Sequence, residues 1–354
     1  MNGLLPFFLS LGIAMQSSPV SAAKPGFQIR VTPIESAHRV EITVDGQPFT
    51  SYVWPPVLTK PVLFPIVSAT GELVTRGFPP DPRRSERTDH PHQVGMWFTY
   101  GNVNGVDFWN NSAALPPDQR AKMGTIAQRR IVRTENGAGR GELEVEAEWL
   151  MPDGQIVLEE DTTFIFRASA RLRTIDRTTK LSALKDRVNF KDDKEGVFGM
   201  RVARWLEQPE PKSQTFTDSS GKTTEVQKLD DGVAAGEYLS SEGIKGDDVW
   251  GTRGRWVLLH AQSAGHELTL AILDHPQNAG FPTYWHARGY GLFAANPLGE
   301  KQLSGGKQEL NFSIAPGGSA TFRYRVLIVS GPPSVSQIES EYQDFTKTQS
   351  IVSH

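Results

Sequence analysis

The sequence predicts an all-β fold, a large antiparallel β-sandwich closed by one short C-terminal helix. Three observations predict it. Apolar residues recur with a period of two, most clearly over 142–149, where Glu142, Glu144, Glu146 and Glu148 alternate with Leu143, Val145, Ala147 and Trp149; one face of such a strand packs and the other meets water. The 33 glycines and 24 prolines together make about 16% of the 354 residues, against roughly 12% on average, which favours many turns over long helices. Helical signal is scarce, and strands divided by turns argue for a sandwich rather than alternating βαβ units.

Taken in order, the chain opens on an apolar run of twelve at 4–15, followed by Gln16-Ser17-Ser18-Pro19 and the small residues Val20-Ser21-Ala22-Ala23. This is the pattern of a secretory signal over residues 1–23, cleaved after Ala22 or Ala23, because twelve apolar residues fall short of the about 20 that cross a bilayer. No second run of spanning length follows, and no cysteine offers a lipid attachment point. The expected product is exported, periplasmic or extracellular, with no stable membrane insertion. A strand at 40–44 then closes with Asp45-Gly46, a hairpin turn. The strand at 142–149 turns at Pro152-Asp153-Gly154 into strands at 156–158 and 162–166, and further strands are expected at 255–261, 268–273 and 321–329. Pro332-Pro333 precede Ser334, with Gln337 three residues on, as in a capping box. Ile338, Tyr342 and Phe345 share one face of the helix that follows. Between 207 and 248 the chain is polar and rich in Ser, Thr, Gly and Lys. The strands on either side are alike, so this stretch is expected as a surface excursion with room for its own hairpin, inside one sandwich domain over 24–354.

Composition narrows the chemistry. With Lys+Arg 37 against Asp+Glu 40 the net charge is −3, and the basic residues are scattered, so nucleic acid is not an expected partner. The absence of cysteine excludes disulfides, thiolate metal sites, cysteine nucleophiles and iron–sulfur clusters. Gly137-Ala138-Gly139-Arg140-Gly141 joins two β-type runs and offers no helix N-terminus to a phosphate. No Walker lysine motif and no G-x-S-x-G elbow occur. What remains is the chemistry of histidine, carboxylate, arginine and aromatic side chains.

Three segments concentrate such residues. The first is Asp89-His90-Pro91-His92, followed by Gly95-Met96-Trp97 and by Asp107-Phe108-Trp109. Pro91 favours an extended His90, and in an extended chain His90 and His92 point the same way, a pair suited to chelation or to dividing proton donation and acceptance. The second is Lys194-Glu195-Gly196-Val197-Phe198-Gly199-Met200-Arg201, where the glycines would let backbone approach a ligand beside an acid, Glu195, and a fork-shaped donor, Arg201. The third runs from Asp274-His275-Pro276 to Tyr284-Trp285-His286-Ala287-Arg288-Gly289-Tyr290-Gly291. Tyr284, His286 and Arg288 face one side and Trp285 and Ala287 the other if extended, and aromatics interleaved with His and Arg suit a sugar. His90, His92, His260, His275 and His286, five of the eight histidines, lie in or beside these segments, which points to one shared site.

The strings 89–110, 193–203 and 274–299 resemble the signatures of a bacterial family of unknown function whose members are labelled "PmoA family protein" or "methane oxygenase PmoA". The likeness runs from about Val53 to Gly331. Members carry a second histidine straight after the His-Pro-His, where this chain has Gln93. Membrane methane oxidation does not fit, because it needs several apolar helices and the sequence offers one apolar segment at most. More weakly, Pro61-Val62-Leu63-Phe64-Pro65 with Gly71 and Arg76 resembles the sugar-binding sandwiches of aldose mutarotases. That resemblance implies a mutarotase-like supersandwich with a His pair and a carboxylate in a carbohydrate-sized groove.

The leading expectation is therefore an exported carbohydrate-active enzyme of epimerase, lyase or hydrolase type. His90 or His92 would be the general acid/base, His286 its partner and Glu195 a carboxylate base or nucleophile. Arg201 and Arg288 would orient a small-molecule or glycan ligand, Trp97, Trp109 and Trp285 would stack on it, and Asp89, Asp107, His275 and Tyr290 would help bind it. A metal-assisted variant would recruit His90 and His92 with His275 or His286, although no cofactor is assigned. The alternative from another class is a non-catalytic carbohydrate-binding or envelope protein using the same groove.

Overall fold

Period-two alternation becomes two large antiparallel sheets. The structure, a computed structural model, describes residue 1 and residues 26–210, 212–229 and 232–347; apart from residue 1, the segment expected to be a secretory signal lies outside the described residues. One sheet has nine strands, in the order Tyr284–Arg288, Leu292–Asn296, Gly196–Arg201, Met96–Tyr100, Val62–Ile66, Gln47–Val53, Arg39–Val44, Gln28–Ile34 and Gly137–Ala138. The other has eight: Gly236–Ser240, Trp256–Ser263, His266–Asp274, Ser319–Ser330, Leu172–Ala183, Ile156–Ala168, Arg140–Leu150 and Thr125–Glu135. The expected all-β antiparallel sandwich is the fold observed.

Local sequence explains the elements that position the rest. Leu143, Val145, Ala147 and Trp149 are buried while the glutamates between them stay partly wet. Asp45 and Gly46 both take positive φ, 50° and 79°, the conformation that a two-residue hairpin turn requires. Apolar side chains from both sheets meet in a continuous core, where Phe198 stacks on Tyr324 with ring centroids 4.6 Å apart. The helix Val335–Lys347 begins as expected, the Gln337 N–H donating to Ser334 Oγ at 3.2 Å. Its buried face of Ile338, Tyr342 and Phe345 covers Trp256, Leu273 and Leu327 on the outer side of the eight-stranded sheet.

The polar stretch at 207–248 is more structured than a surface excursion. Gln214–Thr217 and Thr223–Val226 form the hairpin for which the sequence left room. Gly236–Ser240 joins the edge of the eight-stranded sheet against Trp256–Ser263, because Tyr238 is buried there with its hydroxyl donating to the Leu292 carbonyl at 3.1 Å. Among the described residues, no helix is long and apolar enough to cross a membrane.

Candidate functional site

The outer face of the nine-stranded sheet carries the site. Trp97, Gly199, Ala294 and His286 lie in register across four neighbouring strands, so their side chains share that face. Gly199 is glycine because a Cβ there would stand 3.0 Å from the Trp97 ring, and at Gly196 it would stand 2.3 Å from the Tyr100 ring. Both glycines make room for aromatic packing rather than for a ligand, correcting the sequence expectation. Beyond this layer lies a groove of about 530 Å³, floored by the sheet and roofed in part by the 214–226 hairpin.

Arg76 shapes the wall that carries the paired histidines. It is fully buried, and its guanidinium donates to four backbone carbonyls, those of Arg87 (3.3 Å), Asp89 (2.7 Å), His90 (3.0 Å) and Gln93 (3.0 Å). The loop closes around it, and His90 takes a left-handed φ of 44° instead of the extended conformation expected before proline. The imidazoles still converge, their centroids 5.6 Å apart at 79°, because the loop turns rather than because the chain is extended. Arg201, also fully buried, donates to Gln93 Oε1 at 2.6 Å and to both Asp89 oxygens at 3.0 and 2.9 Å. It lies over the Tyr290 ring at 4.6 Å. Arg201 therefore positions Asp89 from behind the groove rather than touching its contents, as the sequence had suggested.

Protonation follows from these contacts. Burial pushes the Asp89 carboxyl up, but Arg201, the His90 hydrogen bond and Arg76 outweigh it and hold the group well below the usual carboxylate range. An ionised carboxylate only accepts, so His90 Nδ1 donates to Asp89 Oδ2, at 2.6 Å, and Nε2 is left as the acceptor. Burial lowers His90 below its ordinary value, with Asp89 pulling the other way, so the ring is neutral near pH 7. His286 reaches the same state differently: its Nδ1 donates to the Lys194 carbonyl at 2.8 Å, and burial holds it well below the usual range. His92 is half-buried, yet its Nε2 is enclosed with no hydrogen-bond partner among the described residues, and burial again keeps it neutral.

Glu195 is the counterpart. Burial raises its carboxyl to about 8; Lys194 pulls it back, while Asp193, Asp107 and Asp218 add to the rise. Asp193 is itself raised to about 6, chiefly by burial. Asp107 spends its hydrogen bonds on its own turn, accepting from the N–H groups of Trp109 (2.8 Å) and Asn110 (2.9 Å) and from Asn110 Nδ2 (2.8 Å). Near pH 7 the groove thus combines a protonated acid with neutral imidazoles, a pairing suited to general acid–base catalysis.

Asp89, His90, His92, Asp107, Glu195, His286, Arg288 and Tyr290 all line this groove. Other expected residues do not. Trp97 and Trp109 pack edge to face at 5.3 Å beneath the groove, and Trp285 lies between the sheets, its indole N–H donating to the Gly254 carbonyl at 3.0 Å. All three are wholly buried, since an indole on a sheet face is covered by the next packed layer. His275 packs edge-on against Phe345 of the C-terminal helix at 5.0 Å, and His260 pairs with Thr269 on the eight-stranded sheet, so three of the five grouped histidines converge. Among the described residues no group of three or more His, Asp or Glu is placed to hold a metal ion.

The roof of the groove comes from residues that carry no motif in the sequence. Phe216 of the hairpin meets Tyr290 edge-on at 4.6 Å and lies 5.2 Å from the Arg288 guanidinium. Ser219 donates to Asp193, and Lys194 donates to the Thr217 carbonyl. Asp218 and Lys222 add a charge of each sign to the groove. The polar composition of 207–248 was the available signal.

Fold and site together define a two-sheet β-sandwich with an acid–base groove on the outer face of its larger sheet. The chain belongs to the family of unknown function DUF6807, whose model matches residues 39–343. No curated protein matches the sequence. Solved structures that resemble the chain include the Slr1438 protein of Synechocystis sp. PCC 6803, at 11% identity and a TM-score of 0.34, covering 89% of this chain and 100% of that one. A putative aldose 1-epimerase from Escherichia coli K12 is 10% identical with a TM-score of 0.36, covering 86% and 100%. A galactose mutarotase-like protein from Clostridium acetobutylicum is 10% identical with a TM-score of 0.37, covering 85% and 98%. The alpha-galactosidase from Lactobacillus brevis is 11% identical with a TM-score of 0.35; the match covers 87% of this chain but 39% of that one.

Proposed function

We propose that the protein is an exported carbohydrate-active enzyme, its chain beyond the signal acting as one unit, that moves protons on a sugar or glycoside held in this groove. One observation carries the reading: a single groove gathers Glu195, raised to about 8, with the neutral imidazoles of His90 and His286. Glu195 is the general acid. His90, oriented by Asp89, is the base, and His286 is a second acceptor. Arg288, stacked on Trp250 at 4.1 Å, offers guanidinium donors to hydroxyls, and Phe216, which stays partly exposed, replaces the buried tryptophans as an apolar face for sugar C–H groups. A groove rich in polar side chains with one such face suits a polyhydroxylated ligand.

The test is a panel of reducing sugars and glycosides followed by proton NMR in D2O, which reads exchange, epimerisation, elimination and hydrolysis together. Glu195→Gln is expected to lower turnover by about 10²–10⁴-fold, as loss of a general acid does, while leaving binding. Binding without turnover in the unaltered protein would instead assign the groove to a carbohydrate-binding protein, and no binding of any sugar would overturn both readings.

A further inference from the structure

A second cavity, of about 290 Å³, lies behind His92, and Pro91, His92 and Ser112 form the wall it shares with the groove. Its remaining walls are largely apolar, with Val57, Leu58, Phe78 and Pro79 among them. Lys60 breaks that character. The residue is 4% exposed, and its ammonium donates one long hydrogen bond, to the Trp109 carbonyl at 3.3 Å, out of the three it can make. Among the described residues no carboxylate forms an ion pair with it; Asp107 acts on it from a distance. Three further polar atoms of the lining, Ser112 Oγ, Asn111 Oδ1 and His92 Nε2, are enclosed without a hydrogen-bond partner among the described residues. Buried cations and buried polar atoms are ordinarily paired, so the two donors among these, the Lys60 ammonium and the Ser112 hydroxyl, mark a place where an acceptor on a ligand completes the pairing.

We propose that this cavity is a binding site for an organic anion, a carboxylate carried on a compact apolar group. The carboxylate accepts from the Lys60 ammonium and the Ser112 hydroxyl, and the apolar group fills the space between the proline, valine and leucine walls. One cation and one hydroxyl match a single negative charge, and the apolar lining disfavours a fully hydrated ion. The assignment does not depend on the carbohydrate reading of the neighbouring groove.

Benzoate and its uncharged counterpart benzyl alcohol are the probes, titrated calorimetrically into the full chain. At pH 7 benzoate is expected to bind at least ten-fold more tightly than benzyl alcohol. Lys60→Met is expected to abolish that preference while leaving benzyl alcohol affinity within two-fold. Burial lowers the Lys60 ammonium to about 8, so the preference in the unaltered protein is also expected to fall between pH 7 and pH 9.5, a measurement that needs no variant. Equal affinity for the two probes at pH 7, or a preference for benzoate that survives in Lys60→Met, would overturn the proposal.

Discussion

Replacing Glu195 by glutamine should make the protein more stable as well as less active, and the gain should depend on pH. The Glu195 carboxyl is raised from an ordinary 4.5 to about 8, first by burial and then by Asp193, Asp107 and Asp218. Between those two values the folded state keeps a proton that the unfolded chain has released, so stability falls as pH rises through that window and is level above it. At pH 7 the cost is about 3 kcal/mol, the distance from 4.5 to 7 taken at about 1.4 kcal/mol per unit. Glutamine keeps the shape and has no proton to lose. The assay is urea unfolding of both proteins at pH 4.5, 5.5 and 7, compared through midpoints and slopes. The advantage of Glu195→Gln should be near zero at pH 4.5 and approach about 3 kcal/mol at pH 7. A difference that stays flat across this range would refute the claim that the groove holds the carboxyl protonated.

The same groups set the pH profile: kcat/KM on any substrate found should be bell-shaped, rising below pH 6.5 as His90 loses its proton and falling near pH 8 as Glu195 does, and a profile flat from pH 5 to 9 would remove both from catalysis. Asp89→Asn leaves the buried guanidiniums of Arg201 and Arg76 without their facing charge, so unfolding should be easier by about 3–5 kcal/mol at pH 7, the deficit shrinking in acid where Asp89 itself becomes protonated; equal chemical stability at pH 7 would contradict this. His275→Ala, beneath the C-terminal helix against Phe345, should lower the melting temperature while leaving groove affinity for sugar unchanged, and a selective loss of affinity would return His275 to the site.

Some features were legible in the sequence because they depend on neighbours along the chain. The alternation at 142–149, the Asp45-Gly46 turn and the Ser334 cap each act within a few residues, and each appears where expected. The same holds for His286 and Arg288 facing away from Trp285, since strand period two decides it. The grouping of His90, His92, Glu195 and His286 was legible through residue type and short motifs, because histidine and carboxylate side chains set beside apolar strands have few packing uses.

The sequence by itself determined that this chain is an antiparallel sandwich and which residue types could do chemistry. Only the tertiary structure decided which of them meet. It sent Trp97, Trp109 and Trp285 into packed layers, set His275 under a helix, placed Arg201 behind Asp89 and set Lys60 beside an apolar cavity. The reason is physical. Which way a side chain points is settled locally, but whether it meets water, a ligand or another side chain depends on what distant strands and hairpins lay over that face, and those contacts also set its protonation.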